Sequence, residues 1–547
     1  MLSEVSPPQL SFTPWPADDA ARYRSEGIWA GKTFDQVLRE SVAAHAHSVA
    51  VVDAEQTWTY AELDARVDAL AAGLADLGIT AQHPVMVQLP NQAEFVAVVF
   101  ALFRIGAVPV FCLPAHRSSE LTALAAASRA VAVITSHHID GFDHGALALE
   151  VASSTPSLNT VVCLPDPGSD APAGTVNFDA VSAVPREFAA ADPGSVAFLQ
   201  LSGGSTGIPK LIPRTHDDYL YSVLRSNEIC GVTTSTVYLA TLPVAHNFPM
   251  SSPGILGALA AGGTVALTPS PSPTTAFAMI ERAGVTMTGL VPPLARLWTE
   301  TAERGHSHDL STLTAVLVGG ARCPDELAAR IGPALGARLQ QVFGMAEGLV
   351  CYTRDEDPLD VVLTTQGRPM SPFDQIRVVD DNDNDVPAGT EGQLLTKGPY
   401  TIRGYYDNPA ANARSFTDDG WYRTGDVVRV DANGNITVCG RAVDRINRGG
   451  EKVSAEELEE HLLAHPAVRD AIVVAIPDEY LGERTCAFLL AADPSSPPKT
   501  AQIRSFVRER GLASWKIPDR VQVLEEFPET GVGKTSRKDL RRMLAAR

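Results

Sequence analysis

A chain of 547 residues is too long for one ordinary hydrophobic core and requires two or more domains. With 45% hydrophobic and 20% charged residues it has the make-up of a globular protein, and its net charge of -20 argues against general binding to nucleic acid or a membrane surface. The seven cysteines are scattered, odd in number and without a C-x-x-C pair, which predicts buried free thiols in a reducing cytoplasm; Met1-Leu2-Ser3-Glu4-Val5-Ser6 does not read as a signal peptide, and no apolar run approaches the roughly 18 residues of a membrane span.

In chain order, residues 1–32, with Pro14-Trp15-Pro16, read as an irregular leader. Phe34, Val37, Leu38 and Val42 then recur at helical spacing. Thr59 and Glu62 form a T-x-x-E capping box ahead of a helix carrying Leu63, Val67, Leu70, Leu74 and Leu77, and Gly78 ends it. Apolar runs at 84–89, 107–111 and 131–135 alternate with helical stretches at 93–105 and near 119–129. Such alternation predicts an open, largely parallel sheet covered on both faces, with ligands at the carboxyl ends of its strands.

A strand at 195–199 then runs into Ser202-Gly203-Gly204-Ser205-Thr206-Gly207-Ile208-Pro209-Lys210. Glycines let the backbone approach phosphate oxygens, the hydroxyls of Ser202, Ser205 and Thr206 can donate to them, and Lys210 adds charge. The spacing is not G-x-x-x-x-G-K-[ST], so the loop predicts phosphate binding of a non-Walker kind; a flexible surface loop is the alternative that composition allows.

The alternation resumes with a strand at 237–243 ending at Ala245-His246-Asn247-Phe248, a helix at 252–260, and strands at 264–267, 285–290 and 315–318. The last of these meets Gly319-Gly320-Ala321, and a strand at 339–343 meets Gly344-Met345-Ala346-Glu347. From about residue 365, short alternating segments (375–379, 392–397, 427–430, 436–439) separated by Asx-rich turns predict an antiparallel region. Past Gly440 the pattern is that of a small α+β unit, with helices at 454–464 and 503–510 and strands at 468–476 and 521–524. The predicted fold class is therefore α/β plus α+β: a large N-terminal domain over 1–440, made of parallel α/β subdomains and a β-rich part, and a small C-terminal domain over 441–547.

Five stretches stand in order over this chain: the 202–210 loop, Phe343-Gly344-Met345-Ala346-Glu347, Tyr422-Arg423-Thr424-Gly425-Asp426, Gly440-Arg441-Ala442-Val443-Asp444 with Gly449-Gly450-Glu451, and Pro528-Glu529-Thr530-Gly531-Val532-Gly533-Lys534. In this order and spacing the chain resembles the adenylate-forming superfamily of acyl-CoA synthetases, peptide-synthetase adenylation domains and luciferases. Within it, Leu242-Pro243-Val244-Ala245-His246-Asn247-Phe248-Pro249-Met250-Ser251-Ser252-Pro253-Gly254, Gln340 to Val350 and Gly398 to Tyr406 resemble the stand-alone aryl-acid ligases of siderophore assembly, the 2,3-dihydroxybenzoate–AMP ligases.

The resemblance implies ATP-dependent formation of an aryl adenylate, then transfer of the aryl group to the phosphopantetheine thiol of an aryl carrier protein. Because two anions must meet, it implies that Lys534 neutralises and aligns carboxylate and α-phosphate. Asp426 and Arg441 would hold the ribose, Glu347 would ligate Mg²⁺, and Gly320, Val342 and Ala346 would wall the nucleotide pocket with Ser202, Gly203, Ser205, Thr206 and Lys210 at the phosphates. Lys452 would touch the nucleotide or the thiol arm. His246, Asn247 and Phe248 would position the aryl acid, with Ser252 and Val350 leaving room and a hydroxyl for a 3-hydroxyl on the ring. Phe248 stands where the family's nearer members carry tyrosine. The resemblance also implies a small domain that turns about a hinge near Arg441–Asp444, withdrawing Lys534 and presenting Gly449-Gly450-Glu451, and the basic 504–547 face is a candidate dock for an acidic carrier. Gly531-Val532-Gly533-Lys534-Thr535 mimics the end of Walker A, but Pro528 sits where its first glycine belongs. Salicylate as substrate, coenzyme A as acceptor, and a non-catalytic nucleotide-binding relative remain as alternatives.

Overall fold

The computed structural model describes residues 10, 12–202, 210–380, 382–441, 445–528 and 537–545; at 440, 441, 445, 452, 454, 456, 460, 537–539 and 545 it describes backbone only. Among these residues two large sheets form the N-terminal part. One has nine strands, of which the six central ones (Val49–Val52, Thr264–Leu267, Val237–Ala240, Met287–Leu290, Ala315–Val318, Arg338–Gly344) run parallel. The other has seven, parallel except for the hairpin of Val196–Ser202 with Lys210–Thr215. Strands buried on both faces read as continuous apolar runs, as Ala315–Val318 does.

The helix Ala93–Arg104 is buried nearly all round, which is why it lacks a polar stripe. Its last residue, Arg104, is buried and paired with Asp35, Asp64 and Asp68 at 2.7, 2.7 and 2.8 Å, supplying both a cation for the helix C-terminus and partners for a guanidinium removed from water. The capping box at Thr59 and Glu62 is formed as expected, with both reciprocal bonds present. A four-stranded antiparallel sheet spans 375–441, and a five-stranded sheet with three helices forms the C-terminal part. We propose the domain boundary between the strands Ile436–Arg441 and Arg445–Arg448, where the chain passes from one of these sheets to the other.

Three expectations need correction. The leader is not irregular throughout: Ala17–Ser25 is helical, and Trp15, Tyr23 and Trp29 pack with ring centroids 5.0–5.8 Å apart. The helix expected at 252–260 is two, Asn247–Ser251 and Gly254–Ala260, broken at Pro253, which has no N–H to continue the ladder. The strand expected at 427–430 begins earlier, at Tyr422, and runs to Val430, so Asp426 lies inside a sheet. Several strands went unanticipated, among them Gly482–Ala491, central to the C-terminal sheet, and Lys210–Thr215, whose Pro213 hides its character but is tolerated on an edge strand. All seven cysteines are free, six of them buried and Cys439 exposed. No helix among the described residues is long and apolar enough to cross a membrane.

Candidate active site

The carboxyl ends of parallel strands from both large sheets converge on one cleft, as open α/β sheets favour. Val196–Ser202 brings Ser202, Val237–Ala240 leads to His246, Asn247 and Phe248, Ala315–Val318 to Gly320, and Arg338–Gly344 to Ala346 and Glu347. Two connected cavities share Gly320, Val342 and Gly344: one of about 270 Å³ around Asn247 and Phe248, and one of about 540 Å³ reaching Asp426. Gly319 and Gly320 keep the passage open. A Cβ on Gly319 would come within 2.8 Å of the Val342 carbonyl, and Gly320 has φ +83°.

At the smaller cavity, the buried Tyr219 hydroxyl donates to Asn247 Oδ1 at 2.7 Å. The amide oxygen is thereby occupied, and the Asn247 side chain offers the cavity its N–H donors. Tyr219→Phe should release this amide and raise the KM for an aryl acid by up to about tenfold, with a smaller change in kcat, the scale of one lost buried hydrogen bond; steady-state kinetics would show it. Ser252 is buried and lines the same cavity. Val350 does not line it: its methyl carbons lie 3.3 Å from where a Gly344 Cβ would be, so it backs the wall. The Phe248 ring lies against Gly289 and Gly319 and forms the floor.

Ser202 pairs with Lys210 across the hairpin; Gly203, Ser205 and Thr206 lie outside the described residues. Lys210 Nζ stands 4.1 Å from the Tyr405 ring centroid, and the Tyr405 hydroxyl donates to Glu347 Oε1 at 2.9 Å. Lys210 and Glu347 thus share Tyr405 as a neighbour, and the Glu347 carboxylate, 6% exposed, offers the cleft hard oxygen, a donor chemistry that suits Mg²⁺. Arg214 donates to the Ala346 carbonyl at 2.6 Å and fixes this segment from behind. At the far end Asp426, 5% exposed, is the register partner of Arg441. The Arg441 and Lys452 side chains and Lys534 lie outside what the structure describes.

The small domain closes the cleft with the hairpin of Arg445–Arg448 and Glu451–Ser454. Gly450 has φ +92°, and a Cβ there would stand 3.0 Å from the Val291 side chain of the large domain. His246 Nε2 lies 3.3 Å from Glu451 Oε1. Burial alone would raise the Glu451 carboxyl; the imidazole of His246, with the Lys516 ammonium behind it, offsets this and holds it below the usual carboxylate value. Burial also pushes the His116 imidazole down to about 3, so it stays neutral. Sequence reasoning missed Tyr219, Tyr405 and the His246–Glu451 contact. Tyr219 carries a weak signal, four residues into a helix capped by Thr215; the contact, spanning 205 residues, carries none.

A model of the AMP-binding enzyme family matches residues 38–406, and one of the AMP-binding enzyme C-terminal domain matches 457–534. This chain is an AMP-binding enzyme. A 2,3-dihydroxybenzoate-AMP ligase of Bacillus subtilis is 54% identical to it over 534 residues, covering 98% of each chain. A vibriobactin-specific 2,3-dihydroxybenzoate-AMP ligase of Vibrio cholerae is 48% identical, covering 97% of each. Among solved structures, apo MbtA of Mycobacterium smegmatis superposes with a TM-score of 0.74 at 47% identity, over 97% of this chain and 98% of that one. The expected adenylate-forming fold, large α/β domain and small C-terminal domain together, is the fold of this AMP-binding enzyme.

Proposed function

We propose that this enzyme joins 2,3-dihydroxybenzoate to AMP and then passes the aryl group to the pantetheine thiol of a carrier protein in siderophore assembly. The observation that carries the reading is the Asn247 amide, held by Tyr219 with its N–H groups toward a small cavity and with the Ser252 hydroxyl beside it. An acceptor oxygen ortho to a carboxylate suits the first group, and a second ring hydroxyl suits the other.

In the first step a carboxylate oxygen attacks the α-phosphorus of ATP and pyrophosphate leaves. In the second a thiol sulfur attacks the carbonyl carbon, AMP leaves with the bridging oxygen, and the thiol proton goes to solvent. Ser202, Gly203, Ser205, Thr206 and Lys210 would hold the phosphates; Asp426 and Arg441 the ribose; Gly320, Val342 and Ala346 the nucleotide walls; Lys534 the reacting carboxylate and phosphate. Glu347 would hold Mg²⁺, which supplies charge neutralisation at the phosphates. In the orientation described here Gly449, Gly450 and Glu451 line the cleft, the arrangement expected for the thiol step, where His246 pairs with Glu451.

Exchange of radiolabelled pyrophosphate into ATP, measured with 2,3-dihydroxybenzoate, salicylate, benzoate and 3-hydroxybenzoate, tests the reading. The expected order is 2,3-dihydroxybenzoate first and salicylate weaker but real, since one small group is worth only about 1–3 kcal/mol. Preference for salicylate would overturn the role given to Ser252, and absence of exchange with every acid would overturn the activity.

A further inference from the structure

The two domains also meet beside the Gly450 hairpin. Residues 511–516 of the small domain lie on the first turn of the large-domain helix Ser118–Ser128. Glu120, 3% exposed, uses its two oxygens differently. Oε2 accepts from the Arg117 backbone N–H at 3.1 Å and closes the first turn of its own helix. Oε1 accepts from the Ala513 backbone N–H at 3.1 Å and from Lys516 Nζ at 3.2 Å. Lys516, 7% exposed, donates a second bond to Glu457 Oε1 of its own domain at 2.8 Å. His116 packs against Trp515 with centroids 6.1 Å apart, and Gly511 is so near Ser118 that a Cβ would stand 2.5 Å from its Oγ.

The Lys516–Glu457 bond turns with the small domain as a unit. The bonds to Glu120 do not, because their acceptor belongs to the other domain. A buried ion pair contributes little net stability, since desolvation offsets attraction, but it discriminates sharply between arrangements that satisfy it and those that do not. Parting Glu120 from Lys516 and Ala513 also leaves an N–H and a carboxylate that only water or a new partner can satisfy.

We propose that Glu120 and Lys516 are a positioning pair that selects the domain orientation in which Gly450 and Glu451 face the cleft, and so serve thiol transfer and not adenylate formation. This rests on the two-step reading above. Glu120 does not line the cleft and Lys516 lines it on the Glu451 side; in this proposal each acts through the placement of the Arg445–Ser454 hairpin.

The test compares the two half-reactions in wild type, Lys516→Met, Lys516→Arg, Glu120→Gln and the double variant Glu120→Gln/Lys516→Met. Pyrophosphate exchange with 2,3-dihydroxybenzoate reports the first half-reaction. Single-turnover transfer from the preformed aryl adenylate to pantetheine reports the second. The expected result is exchange within about twofold of wild type and transfer slower by on the order of tenfold in Lys516→Met and Glu120→Gln, with no further loss in the double variant because the Glu120–Lys516 ion pair is lost in all three. Lys516→Arg should restore most of the transfer rate. Glu120→Gln changes a different domain, so a small-domain folding defect in Lys516→Met cannot produce the same split. Unchanged transfer in both single variants, or equal losses in the two half-reactions, would overturn the pair's role while leaving the enzyme's function intact. A wild-type enzyme that exchanges pyrophosphate but never acylates pantetheine would overturn the two-step reading and the proposal with it.

Discussion

Lys534→Ala should lower aryl-acid-dependent pyrophosphate exchange by about 10²–10³-fold, while transfer from a preformed aryl adenylate to a thiol stays near the wild-type rate. The asymmetry follows from charge. Adenylate formation brings a carboxylate onto a polyphosphate, and the developing charge needs a fixed cation. Thiol transfer starts from a neutral acyl group with AMP as leaving group, and the cation is not required there. In the orientation described here the cleft is faced by Gly450 and Glu451 of the small domain, and Glu451 already carries the negative charge that pairs with His246. Equal losses in the two half-reactions, or full exchange without Lys534, would remove this lysine from the chemistry.

The second large effect is on stability. Arg214 and Asp218 are a fully buried pair, each side chain 1% exposed, with Nε to Oδ1 at 2.8 Å. Arg214 also donates to the carbonyls of Ala346 and Tyr400, and the other Asp218 oxygen caps the helix His216–Cys230 through Thr215. Arg214→Met leaves the Asp218 carboxylate buried without its cation and should cost about 3–5 kcal/mol in the unfolding transition of the large domain, read from the shift in urea midpoint. Because Arg214 braces Ala346 and hence Glu347, the surviving folded enzyme should also exchange pyrophosphate poorly. A midpoint shift below about 1 kcal/mol would mean that water reaches the carboxylate and the pair is not isolated.

What was legible in the sequence is what local chemistry dictates. Apolar runs such as 315–318 can only be interior strands, and Thr59 with Glu62 can hardly be anything but a helix start. The cleft was legible as a set of strand ends because glycines, hydroxyls and one lysine follow those strands. Less legible was anything depending on a partner far along the chain. The leader helix offers only Tyr23 to the core among Asp18, Asp19, Arg22 and Arg24, so its periodicity is too thin to see. It is held by Trp29 Nε1 donating to the Pro399 carbonyl and by Arg24 bonding Asp217, contacts spanning 370 and 193 residues. The resemblance implies that Val350 leaves room beside Ser252 for a ring hydroxyl, and nothing local in the sequence tells on which side of the wall its side chain falls. The turn through Gly344 to Leu349 instead folds its strand behind the wall, in register with Gly344.

The packing of Trp515 on His116 carries an optical consequence. Of the six tryptophans, Trp515 is the only one beyond residue 440, and it sits half-buried where the domains meet. Swinging the small domain away moves that indole from a protein wall into water, which shifts its emission to the red, while the other five stay in the large domain. The enzyme is thus self-reporting: intrinsic fluorescence, followed in a stopped-flow mixer as adenylate and thiol are added in turn, times the domain swing without any attached dye.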